Sequence, residues 1–82
     1  MSSAFASQVH AARGLMKWSQ DDLAYKADVG RKTITNIENE SRATYVSTTN
    51  KIVRVLHRAG IELIPENGGG IGVRFRKPAQ RL

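Results

Sequence analysis

Between Arg31 and Asn39 the chain reads RKTITNIEN. At helical spacing Ile34 and Ile37 fall on one side of this stretch, and Arg31, Lys32, Thr33, Asn36 and Asn39 fall on the other. The outward group has long reach, paired donors and acceptors, and little apolar surface. An arginine fork fits the O6/N7 edge of guanine, an asparagine amide fits the N6/N7 edge of adenine, and a threonine methyl can touch the methyl of thymine. The chemistry such a helix can do is hydrogen-bonded reading of polar edges, and its width suits a DNA major groove.

A helix that reads must be held, and the residues just before it supply the hold. From about Ser19 a shorter helix is predicted: Ser19 is a good N-cap, Asp22 three residues on completes a capping-box start, and Leu23, Ala24 and Ala27 face inward. Asp28, Val29 and Gly30 then break the periodicity before Arg31. Two helices joined by a tight turn, the second presented outward, make a helix-turn-helix.

Gln20, Leu23-Ala24, Val29, Ile34, Ile37 and Glu38-Asn39 together resemble the pattern of the Xre/lambda-repressor-like helix-turn-helix family, and the likeness extends outward through Arg13 and Leu15 to Gln20. It spans roughly residues 5 to 60 and depends on many positions at fixed spacing. The resemblance implies that Arg31, Lys32 and Asn36 read bases, with Thr33 and Thr35 as further readers. It implies contacts to the DNA backbone from Ser19, Gln20, Asn39 and Arg42, Gln20 alternatively fixing a base-reading side chain. It also implies a structural pair between Arg13 and Glu38, set against the ordinary fate of an arginine as a solvated surface charge. Each reader has a plain solvent-facing role as its alternative. The turn departs from the family twice: Asp28 stands where glycine is usual and Gly30 where a serine or threonine cap is usual, and both residues tolerate the geometry required of them.

At 82 residues, the sequence is sized for one small domain with a modest helical core. The net charge of +6 and pI near 10.3 favour an anionic partner, and the lack of a long apolar run puts nucleic acid ahead of membrane. There is no cysteine, which removes disulfides, thiolate metal sites and cysteine nucleophiles. The opening MSSAFASQ has no charged and apolar leader pattern, so a cytoplasmic, nucleoid-associated location is expected.

The flanks read as scaffold. Phe5, Val9, Ala12 and Met16 form an apolar stripe for a first helix, after which Leu15, Met16 and Trp18 are expected beneath the motif; Trp18 is read as a core anchor in preference to a DNA contact. Glu40 to Thr44 reads as a loop. From about Ser47, Thr49, Ile52, Val53, Leu56 and Ala59 define a fourth helix ending at Gly60. His57 on this helix is read as a surface or capping residue. Ile61 and Leu63, then Ile71, Val73 and Phe75, alternate on either side of Pro65 to Gly70 and predict a β-hairpin. Its glycines lack the lysine and hydroxyl of a phosphate loop, so they read as a turn. Arg74, Arg76, Lys77 and Arg81 make a basic end, either solvated or adding phosphate contacts.

The expected fold is mainly α, a lambda-repressor-like four-helix helix-turn-helix domain over 1–60 with a C-terminal β-hairpin and basic tail over 61–82. The expected function is sequence-specific transcriptional regulation, as a repressor, by a homodimer on double-stranded DNA. An antitoxin or interaction module that covers a protein partner and binds DNA for autoregulation is the alternative from another class. RNA binding through the basic tail ranks last, because a stacking sheet of aromatics is missing. No catalytic set, cofactor or metal site is read from the residues, and no membrane segment.

Overall fold

A computed structural model describes residues 4–41 and 43–76. Four helices precede a hairpin: α1 (Ala4–Met16), α2 (Gln20–Ala27), α3 (Arg31–Asn39), α4 (Val46–Arg58), β1 (Ile61–Ile64) and β2 (Gly72–Phe75). The mainly α fold with a terminal antiparallel pair is the one the periodicity predicts. Arg42, Lys77 and Arg81 lie outside the described residues.

Each helix contributes a narrow apolar stripe to one core. Val9 and Ala12 come from α1, Leu23, Ala24 and Ala27 from α2, Ile34 and Ile37 from α3, Ile52 and Leu56 from α4, and Ile61 from β1. Fully burying a side chain the size of Leu or Ile is worth about 1.5–3 kcal/mol, so this stripe holds the helices together. Two expectations at its rim differ from the structure. Leu15 is exposed, because α1 runs on to Met16 and turns that position outward. On α4, Val55 packs against the core where Val53 was expected.

The first three helices stop in the same way. Lys17, Asp28 and Glu40 each take a left-handed conformation with φ of 59°, 58° and 56°. One residue further on, the amides of Trp18, Val29 and Ser41 donate back to the carbonyls of Arg13, Ala24 and Asn36. This six-to-one bond is the Schellman closure, which usually recruits glycine at the left-handed position. Trp18 and Val29, just beyond, fold onto the core and so offset the backbone cost. Only α4 ends at a glycine, Gly60, with φ of 95°.

The hairpin is antiparallel, pairing Ile61 with Phe75, Glu62 with Arg74, Leu63 with Val73 and Ile64 with Gly72. Two strands are marginal alone. Here they pack on α1 and α4, with Leu63 and Val73 turned to the core. Gln8 is the polar residue within the apolar side of α1, buried, and its Nε2 donates to the carbonyls of Ile64 and Gly72, both at 3.0 Å. One amide thereby clamps the two strands where they open toward the turn.

Candidate nucleic-acid interface

The two motif helices take their starts from the sequence in different ways. Ser19 is the N-cap of α2: its hydroxyl accepts from the Asp22 amide and the Asp22 carboxylate accepts from the Ser19 amide, both at 2.9 Å. Those bonds hold the Asp22 carboxyl below its ordinary range. Gly30 is the N-cap of α3 and provides no side-chain bond. The turn between them therefore rests on Asp28, whose carbonyl also receives Lys51 Nζ at 3.4 Å, and on the packing of Val29.

Beyond that turn, α3 buries Ile34 and Ile37 and presents its other sides. Arg31, Lys32, Thr35 and Asn36 border one shallow depression on the outward face. Arg31 and Lys32 are exposed, while Thr33, Thr35 and Asn36 are half-buried. Asn39 stands exposed at the end of the helix. Arg31 Nε approaches Asp21 Oδ1 at 3.5 Å, an ion pair open to solvent and weak for that reason. Asn36 Oδ1 accepts from the Ser41 hydroxyl at 3.0 Å, which leaves the amide nitrogen as the donor end of that side chain.

Behind this face lies a polar network that spans three helices. Glu38, on α3, has a side chain only 7% exposed, and Arg13, on α1, is 15% exposed. Arg13 donates to it twice, Nε to Oε2 at 2.7 Å and Nη2 to Oε1 at 2.9 Å. The fork is bidentate, the strongest form of such a pair. A third guanidinium nitrogen, Nη1, donates to the Trp18 carbonyl at 3.0 Å. His10 Nδ1 lies 3.2 Å from Glu38 Oε1, and Gln20 Nε2 donates to the same oxygen at 3.3 Å. Gln20 in turn accepts from the Thr35 hydroxyl at 2.8 Å. Burial alone would raise the Glu38 carboxyl, but the bonds from Arg13, His10 and Gln20 outweigh it and hold the group below the usual carboxylate range. Its bond to Glu38 likewise raises Arg13.

The geometry thus separates the residues singled out in the sequence. Arg13 and Glu38 are joined, and Gln20 is drawn into their network with Thr35. Arg31, Lys32 and Asn36 share an outer face, and Thr33 sits on its flank. Arg74 and Arg76 are engaged within the hairpin and at the end of α4: Arg74 Nε donates to Glu62 at 2.9 Å, and Arg76 Nη2 donates to the His57 carbonyl at 2.8 Å. Arg76 thus adds a second donor to the His57 carbonyl, which also accepts from the Gly60 amide in the closing turn of α4. Gln8 and His10 drew no role from the sequence, because each works through a tertiary contact that periodicity does not encode.

A buttressed helix carrying solvent-facing cations and an amide on its outer face, preceded by a capped helix and a tight turn, defines a helix-turn-helix DNA-binding module. A family model described as helix-turn-helix, HTH_3, matches residues 9–59, more than half of the chain. The chain belongs to this helix-turn-helix family and is a DNA-binding regulator. No curated protein matches the sequence. Among the described residues no helix is long and apolar enough to cross a membrane, and no cluster of acidic or histidine side chains has metal-site geometry.

Proposed function

We propose that the chain is a sequence-specific transcriptional repressor that lays α3 in the major groove. The observation that carries this reading is the common face formed by Arg31, Lys32, Thr35 and Asn36 on a helix held rigidly from behind. Arg31 and Lys32 are suited to guanine edges, Asn36 donates to a purine N7 or a thymine O4, and Thr33 adds a methyl at the flank. Thr35 sits on the same face with its hydroxyl oriented by Gln20. Gln20 acts mainly by fixing that side chain, while Ser19, Asn39 and Arg42 contact the phosphates.

One module of this size makes few base contacts, so useful specificity calls for a homodimer on two half-sites about one DNA turn apart. Ile71 and Phe75 leave apolar surface exposed on the hairpin, which supports a self-association surface there. Occupying the operator is itself sufficient to block transcription, and the site of action is the cytoplasmic nucleoid. Selection of bound sequences from random duplexes tests the reading: a palindromic motif is expected, and an Arg31, Lys32 and Asn36 triple-alanine variant should lose it. Salt-sensitive binding with no enriched motif, unchanged in that variant, would overturn it.

A further inference from the structure

The geometry points to a subsite for the C5 methyl group of a thymine, on the flank of α3 and closed by Tyr45. This deepens the major-groove reading and rests on it. A pocket of about 160 Å³ opens where α3 meets the start of α4. Thr33, Asn36 and Ile37 form one wall, and Ala43, Tyr45 and Thr48 form the other. Its lining is more apolar than polar.

Three observations single out a base methyl as the occupant. First, the pocket adjoins the reading face, because Asn36 borders both this pocket and the outer depression. Second, Tyr45 is 82% exposed although it is a large aromatic, and its side chain supplies no cap to α4. An aromatic ring left in water at the rim of a small apolar pocket gains by covering a ligand there. Third, the Ser41 hydroxyl occupies Asn36 Oδ1, so the amide beside the pocket is presented as a donor. Thymine offers the matching pair in the major groove, an O4 acceptor next to a C5 methyl. Cytosine presents a donor and no methyl, so the same subsite disfavours it on both counts.

The test uses the full chain and the duplex obtained by selection. Each thymine of a half-site is replaced in turn by uracil, which deletes only the methyl group. Burying one methyl-sized group is worth about 0.8 kcal/mol, so at one position binding should weaken about fourfold per half-site. Tyr45→Ala, at an exposed position, should keep its fold by circular dichroism and bind the thymine and uracil duplexes equally. Ala43→Val, which fills the pocket from the same wall without removing the ring, should erase the same preference.

Uracil tolerated at every position by the unaltered chain would overturn the subsite. So would a uracil penalty that persists in Tyr45→Ala, since the methyl would then be read elsewhere. Weaker binding of Tyr45→Ala to all duplexes, with the uracil penalty intact, would assign the ring to the sugar-phosphate strand instead. Failure to select any sequence would sink the major-groove reading itself and the subsite with it, an outcome distinct from those three.

Discussion

The first helix carries two loads by two different kinds of bond. Toward its C-terminus, Arg13 holds α3 through a buried charge pair with Glu38; nearer its N-terminus, Gln8 holds the hairpin through one neutral amide shared by two carbonyls. Ionic ties in low dielectric are strong once made and costly to break, because a buried partner is left uncompensated. The amide tie is milder, a neutral, part-buried bond to two strand carbonyls. The difference matches the tasks. A reading helix must be held to a fraction of an ångström, whereas a hairpin resting on apolar contacts needs only its register fixed.

Breaking the ionic tie should have the largest effect. Arg13→Met leaves the Glu38 carboxylate buried without its fork, and an unfolding midpoint in urea should report a loss of about 3 kcal/mol, the low end for a buried pair because Arg13 keeps some solvent contact. Hydrogen exchange should accelerate first in α3. A loss under about 1 kcal/mol would mean that the pair behaves like an exposed one.

Acid should act on the same tie, with a smaller effect, since a protonated carboxyl still accepts hydrogen bonds. The Glu38 carboxyl is depressed in the folded chain, so its stabilisation is full above the ordinary value of 4.5 and is lost as pH falls from there through the folded value. Urea midpoints measured downward from pH 6 should fall in that window, and the Glu38-dependent part should be absent from a Glu38→Gln variant.

Gln8→Leu should cost about 1–3 kcal/mol, because two part-buried carbonyls lose their donor. Exchange should quicken in β1 and β2 while α3 stays protected. Equal acceleration in both regions would show that the two ties are not separable. The smallest effect is expected between them: Gly14 is exposed within α1 with no atom within 4 Å of an added Cβ, so Gly14→Ala should raise stability by about 0.8–1 kcal/mol.

Much of this arrangement was legible in the chain. The bounds of α3, the Ser19 cap and the two strands follow from periodicity and capping residues, because those signals are local. The left-handed ends of α1 and α3 fall on Lys17 and Glu40 and not on a glycine, α1 running through Gly14 to Met16, and both are imposed by the bond that closes each helix. Family likeness suggested that Arg13 and Glu38 meet, but the extension of that pair through Gln20 to Thr35 depends on how three helices converge. Likewise Arg74 and Arg76 read as a basic end, yet a cross-strand glutamate and a helix terminus claim them, as the register of Ile61 to Phe75 dictates. Gln8 had no signal beyond being a polar residue on an apolar side.

Trp18 is the only tryptophan in the chain. It is half-buried at the joint between α1 and α2, its carbonyl takes one nitrogen of Arg13, and Lys26 Nζ sits 5.0 Å above its ring. An indole so placed is a built-in optical probe: its emission wavelength follows solvent entry at that joint, and the ammonium above it makes the emission sensitive to nearby charge. Fluorescence from the unlabelled protein can therefore follow the loosening of α1 from the motif, with no dye attached to the face that meets DNA.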